Sequence, residues 1–187
     1  MYYVLVHYPK IDTTEIENFR KRYDFTYDVI KAHITIVFPS NERKKKISNH
    51  IKGVLGRWEP FKITLEDFVK SPDHWLFLTI TKGKKTVIRL YKDLYTGILA
   101  PYSRIDLFIP HISLGYFARR EDYTEFKNYG DVISYKGELI FYEKDYLKAL
   151  EEARSLNIIH PTTVEELTLV ELNKTFTEAK DIETIQL

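Results

Sequence analysis

The chain has 187 residues, 44% of them hydrophobic and 14% aromatic, enough for one core or for two small lobes that share one. With 28 basic and 27 acidic residues the net charge is +1, so no global field draws the chain onto duplex DNA and any anion must be bound locally. The absence of cysteine excludes disulfide frameworks and thiolate metal sites and fits a cytoplasmic setting, and no run of about 18 apolar residues offers a membrane span.

Residues 2–8 alternate and are rich in β-formers, so the N-terminus reads as a strand; it has no basic region of a signal peptide. Asp12, with Glu15 three residues on, resembles a capping box, and Ile16, Phe19 and Tyr23 follow at helical spacing, which predicts a helix near 13–23. AHITIVFP, residues 32–39, is a short strand stopped by Pro39. Ser40 or Asn41 is positioned to cap a second helix that carries Ile47, Ile51, Val54 and Leu55 and stops at Gly56. Residues 61–69 and 75–81 read as a hairpin around Ser71-Pro72-Asp73. A helix near 85–98 aligns Val87, Leu90, Tyr91, Leu94 and Ile98, with Pro101 barring its continuation. PHISLGYF, residues 110–117, is a further strand. A weaker helix is expected over 121–129, an extended segment over 138–142, and a helix over 143–156 that buries Tyr146, Leu147, Leu150 and Ala153. From Glu166 onward the tail alternates as one or two strands.

A pattern repeats along this order. Strand 2–8, helix 13–23 and strand 33–38 form one unit; strand 75–81, helix 85–98 and strand 111–117 form another. Both end in a His-apolar-hydroxyl-apolar strand, which points to similar lobes facing each other across a cleft.

Those two strands carry the chemistry. In His33-Ile34-Thr35-Ile36 and His111-Ile112-Ser113-Leu114, the period of two puts histidine and hydroxyl on one face and the aliphatics on the other. Two such strands offer two imidazoles and two hydroxyls. Phosphodiester cleavage without a metal needs a base for the nucleophile and an acid for the leaving oxygen, and histidine, with a pKa of roughly 6.5, can be either near neutrality. The hydroxyls suit the non-bridging oxygens, where charge gathers as phosphorus becomes five-coordinate. A single apolar-flanked His-x-Thr arises often by chance; two copies, each after a strand–helix unit, carry far more weight.

These paired motifs resemble those of the two-histidine (2H) phosphoesterases, which include 2′-5′ RNA ligase-like and RNA 2′,3′-cyclic phosphodiesterase proteins. The 78 positions between His33 and His111 suit that family, and Arg20-Lys21-Arg22-Tyr23-Asp24 and Leu94-Tyr95-Thr96-Gly97 look like its small bacterial branch. The resemblance spans essentially the whole chain, residues 1–187. It implies an α+β bilobal domain: two pseudo-symmetric, antiparallel-rich sheets forming a V-shaped central cleft, helices outside, both motifs lining the groove. It also implies His33 and His111 as catalytic residues, Thr35 and Ser113 as substrate-binding residues, and His111 as the base with His33 as the acid. The near symmetry leaves those two roles open to exchange with substrate orientation. The partner it implies is an RNA end or nucleotide bearing a cyclic phosphate, with no cofactor.

Other features receive bland readings. Tyr116 and Phe38 are candidates to stack on a base, though strand-end aromatics are more often core. The family's basic residue just after the second motif is displaced here to Arg119 and Arg120. Arg43-Lys44-Lys45-Lys46 reads as the solvated start of a surface helix, and Arg20, Lys21 and Arg22 as charges complementing a helix dipole. His7, His50, His74 and His160 read as structural. No HExxH, cysteine set or phosphate-cradling glycine loop is present, so no metal site is expected. The same four groups would also serve a 2′-5′ RNA ligase, a hydrolase of cyclic oligonucleotides, or a non-catalytic RNA- or nucleotide-binding module.

Overall fold

The computed structural model describes residues 1–156 and 158–187. Its elements, in chain order, are β1 (Tyr2–His7), α1 (Thr14–Tyr23), β2 (Ile34–Ser40), α2 (Lys44–Leu55), β3 (Phe61–Lys70), β4 (Trp75–Lys82), α3 (Lys84–Leu94), β5 (His111–Tyr116), β6 (Ala118–Arg120), α4 (Tyr129–Ser134), β7 (Leu139–Phe141), α5 (Glu143–Ser155), β8 (His160–Val164), β9 (Glu166–Leu172) and β10 (Ala179–Gln186). The strands form two four-stranded sheets, ordered β10-β9-β1-β2 and β5-β4-β3-β8, and a small β6–β7 pair. Every pairing is antiparallel.

The two sheets match strand for strand. In each, the motif strand lies at an edge (β2 or β5) and pairs with the first strand of its own unit (β1 or β4). The two edges approach one another, and α1 crosses β5. The expected α+β architecture of paired antiparallel sheets is therefore present, with the motif strands at its centre. Close packing of α1 on β5 depends on Gly115, where a Cβ would fall 2.6 Å from the Cβ of Tyr23.

Alternation explains which faces are buried. Ile34 and Ile36 on β2, and Ile112 and Leu114 on β5, are at most 2% exposed and join the main core, while Thr35 and Ser113 between them remain partly open. Each such aliphatic contributes about 2 kcal/mol through burial. That core also takes Ile47, Ile51 and Leu55 from α2, and Val87, Leu90 and Leu94 from α3. No helix among the described residues is long and apolar enough to cross a membrane.

Several boundaries differ from expectation for physical reasons. Asp12 accepts a hydrogen bond from the Thr14 amide at 2.9 Å, but Thr13 is the capping position of α1 and no capping box closes. Ser40 is buried at the end of β2, so α2 begins only after Arg43. The helix expected to reach residue 98 ends at Leu94, since Gly97 adopts φ +51° and the chain turns into a 3-10 segment at Gly97–Tyr102. No helix forms over 121–128; Asn128 caps α4 instead, accepting from the Asp131 amide at 2.9 Å. Leu147 lies on the open side of α5, 54% exposed. Strand β8 completes the second sheet and was not anticipated.

Candidate active site

His33 sits immediately ahead of β2, and the segment that delivers it is clamped by one buried guanidinium. Arg20, 1% exposed, donates from Nε to Asp24 Oδ2 at 2.9 Å, from Nη1 to Glu17 Oε2 at 2.9 Å, and from Nη2 to the Ile30 carbonyl at 3.0 Å. Glu17 accepts in turn from the Ala32 amide at 2.6 Å, and Asp24 from the Thr26 amide and hydroxyl at 2.8 and 2.6 Å. Residues 30 and 32 are thereby fixed on either side of Lys31. The Lys31 carbonyl accepts from His33 Nδ1 at 2.7 Å. A carbonyl can only accept, so Nδ1 carries the hydrogen and Nε2 keeps its lone pair.

His111 opens β5 and repeats this tautomer with a different support. Its Nδ1 donates to the carbonyl of Ile109, again two residues upstream. The segment before it is held by aromatic contacts. The Arg104 amide donates to the Tyr91 hydroxyl at 2.7 Å, and Phe108 stacks on Tyr91 with centroids 4.1 Å apart. Tyr95 stacks on Tyr91 at 4.1 Å, and its hydroxyl accepts from the Phe38 amide on β2 at 2.8 Å, tying the end of α3 to the first sheet. Phe77, on the neighbouring strand β4, lies flat against the His111 ring at 3.4 Å; an aromatic face so placed favours the protonated ring.

His33, Thr35, His111 and Ser113 line one cavity of about 470 Å³ between the sheets. Two segments distant in sequence thus meet as the alternation argument requires. Burial pushes both imidazoles down to about 4, partly offset by their carbonyl hydrogen bonds. Smaller charges separate them: Arg20 further disfavours a proton on His33, and Asp73 favours one on His111, while each charged ring would oppose the other. Among the described residues, no three or more His, Asp or Glu side chains gather as a metal-ligand set.

Tyr116 does not reach this cavity. A bulge between Ser113 and Gly115 turns it to pair with Trp75, where its ring packs on Trp75 at 4.8 Å, Phe25 at 5.5 Å and Phe126 at 5.8 Å. Its hydroxyl is buried without a partner, and burial raises its pKa to about 12. The stacking role expected of Tyr116 is therefore withdrawn. Phe38 does line the cavity. Arg119 pairs with Glu125 at 2.8 Å and lies over Tyr142, away from the histidines; the cation that lines the cavity is Arg104. Trp75, Phe77, Tyr129 and Phe176 also line it, and strand periodicity around the motifs gives no signal for the last two.

Comparison with known proteins gives relatives in sequence and in fold. In sequence, 26% identity over 118 residues (61% of this chain, 68% of the other) links it to "Putative phosphoesterase GK0864" of Geobacillus kaustophilus, and 27% over 131 residues (67% and 75%) to "Putative phosphoesterase GWCH70_0799" of a Geobacillus strain. The fold is similar to that of E. coli LigT (TM-score 0.56, 16% identity, covering 100% of this chain and 96% of that one) and of TT0787 from Thermus thermophilus (TM-score 0.54, 14% identity, 100% and 98%). LigT has also been solved in complex with 3′-AMP, with a TM-score of 0.53 and 16% identity. Residues 8–132 match the model of the 2′-5′ RNA ligase superfamily, and with both histidine motifs inside that match the chain belongs to this family, the 2H phosphoesterases.

Proposed function

We propose that the protein hydrolyses a cyclic phosphodiester, the 2′,3′-cyclic phosphate of an RNA end or a nucleotide, through general acid–base catalysis by His33 and His111. The observation that carries this reading is the shared cavity in which both imidazoles are held by Nδ1 to a carbonyl two residues upstream. The fixed tautomer reserves each Nε2 for the substrate. One neutral ring takes a proton from water as the water oxygen attacks phosphorus. The bond from phosphorus to one ribose oxygen breaks, and the other ring, charged, gives its proton to that oxygen. The product is a phosphomonoester beside a free hydroxyl. Thr35 and Ser113 donate to the non-bridging oxygens as their charge grows. LigT, which shares this fold, has been solved in complex with 3′-AMP, a ribonucleotide of the kind that opening a 2′,3′-cyclic phosphate releases.

In the unliganded protein both rings are neutral at pH 7, so the acid acquires its proton when the anionic phosphate enters and raises its pKa. Arg20 near His33, and Asp73 and the Phe77 face near His111, bias that proton to His111. This makes His111 the acid and His33 the base, the reverse of the roles implied by family resemblance alone. A p-nitrophenyl phosphodiester, whose leaving group needs no proton, separates the two: it should restore activity to His111→Ala and not to His33→Ala. The reading as a whole is tested by incubating purified protein with nucleoside 2′,3′-cyclic phosphates and 2′-5′-linked oligonucleotides in EDTA. Ring opening is expected, and failure of a folded sample to turn over any of them overturns it.

A further inference from the structure

The fixed charges that line the cavity run against the binding of an anion. Among the described residues they are one guanidinium, Arg104, and two carboxylates, Asp73 and Asp106, although the chain as a whole is +1. Arg104 and Asp106 stand two residues apart on the segment before β5 and offset each other, which leaves Asp73 as the charge unmatched within the lining. The cations beyond the second motif give no help: Arg119 pairs with Glu125, and Arg120 lies over Tyr135 beside Asp122. Lys31, close to His33 in sequence, is exposed and outside the lining.

The β3–β4 turn is built to hold the Asp73 carboxylate in place. The amide of Ser71, a residue only 2% exposed, donates to the Trp75 carbonyl at 2.9 Å. Ser71 Oγ accepts from the Trp75 amide at 2.8 Å and donates to Asp73 Oδ1 at 2.6 Å. His74 takes a left-handed φ of +71°, with its amide on the Ser71 carbonyl at 3.2 Å, the Phe117 amide on its own carbonyl at 3.0 Å and its ring stacked on Phe141 at 4.8 Å. Backbone of this kind persists where surrounding contacts over-determine it. Asp73 Oδ2 has no partner among the described residues, and the charge of this side chain is felt at His111, Tyr116 and Tyr129. One carboxylate oxygen is thus left facing whatever the cavity takes in beside the reacting phosphate.

We propose that Asp73 makes the cavity selective for a substrate with a single negative charge: a nucleoside 2′,3′-cyclic phosphate with a free 5′-hydroxyl, in preference to an RNA end or any nucleotide with a second phosphate. The inference rests on the phosphoesterase reading above and excludes part of the substrate range that reading allows. One cyclic phosphate brings one charge, which the proton gained by a histidine offsets. A second phosphate brings further charge, meets Asp73 and Asp106, and has only Arg104 to pair with. A hydroxyl in its place is a donor, and Asp73 Oδ2 can accept from it. The selectivity therefore comes from repulsion as much as from attraction.

The test compares substrates that differ by one phosphate. At low ionic strength, adenosine 2′,3′-cyclic phosphate should show kcat/KM about fivefold or more above both its 5′-phosphorylated form and the diadenosine that ends in the same cyclic phosphate. The gap should lie chiefly in KM and shrink in about 0.5 M salt. Asp73→Asn, which can still accept from Ser71, should close most of it, and Arg104→Gln should widen it. Glu151→Gln makes the same change in net charge at an exposed position on α5 and should leave the gap as it is. The compared substrates share one reacting group, so any effect of Asp73 on His111 cancels in the ratio. A ratio near one, a preference for the second phosphate, or a gap that Asp73→Asn leaves intact would overturn the proposal. If no cyclic phosphate is opened at all, the catalytic reading fails first. Calorimetric binding of adenosine 3′-phosphate against adenosine 3′,5′-bisphosphate, in the parent protein and in Asp73→Asn, then decides the selectivity on its own.

Discussion

The two halves of this protein present the same pair of groups and support them by different means. In the first half, the approach to His33 is locked by the Arg20 guanidinium through two carboxylates and a carbonyl, all within a few residues of α1. In the second, the approach to His111 is locked by the Tyr91–Tyr95–Phe108 stack and one phenolic hydroxyl. Tautomer and geometry at the two imidazoles are alike, yet an ionic clamp holds one and an aromatic clamp the other. The geometry of the two histidine motifs is therefore repeated while its scaffolding is not, and the charges around the rings differ as a consequence.

The sharpest break in that equivalence comes from removing either ring. His33→Ala and His111→Ala should each lower kcat on a nucleoside 2′,3′-cyclic phosphate by about 10²–10⁴-fold, read by steady-state assay, with melting temperature nearly unchanged. Thr35→Ala and Ser113→Ala should each cost about 10²-fold, as lost transition-state donors do.

The clamps come next. Arg20→Ala leaves Asp24, a fully buried carboxylate, without its cation, and should cost about 3–5 kcal/mol in chemical denaturation. Arg20→Lys should not restore activity, because an ammonium cannot reproduce the three-way guanidinium geometry. Tyr91→Phe removes only the acceptor for the Arg104 amide and should cost about 1 kcal/mol, with kcat falling more than KM rises if the His111 approach loosens. Equal effects of the two clamp variants would contradict the contrast between them.

These supports explain what could and could not be read from the sequence. The quartet was legible because strand alternation is local: Ile34 and Ile36 face the core, and Thr35 must face away. The Arg20 clamp also has local spacing, to Glu17 and Asp24, but spacing does not reveal burial, and the same residues fit an exposed helix end. The bulge in β5 keeps Tyr116 on the face of His111 and Ser113, but Trp75, Phe25 and Phe126 enclose its ring at the strand end, and those tertiary contacts leave no local signal. Tyr129 and Phe176 reach the cavity from an excursion and a terminal hairpin whose positions depend on tertiary contacts. The helix expected over 121–129 lacked an apolar face to bury; the chain waited for the Asn128 cap.

The smallest effects are in pH. Both histidines titrate near 4 when folded and near roughly 6.5 when unfolded, so between these values the unfolded chain binds more protons. Stability should therefore fall as pH drops from about 6.5 toward 4. A His33→Gln/His111→Gln double variant should lose part of that slope, about 1 kcal/mol per ring once water in the cavity is allowed for. In activity, the optimum of kcat/KM, set by the free protein, should lie at lower pH than that of kcat, where bound phosphate has raised the pKa of the acid.

The most direct measurement is a crystal structure of the protein soaked with phosphate. The account predicts a single anion between β2 and β5, with Nε2 of both His33 and His111 and the Thr35 and Ser113 hydroxyls within hydrogen-bond reach of its oxygens. An anion held by only one ring, or one that binds elsewhere while this cavity stays open, would contradict it.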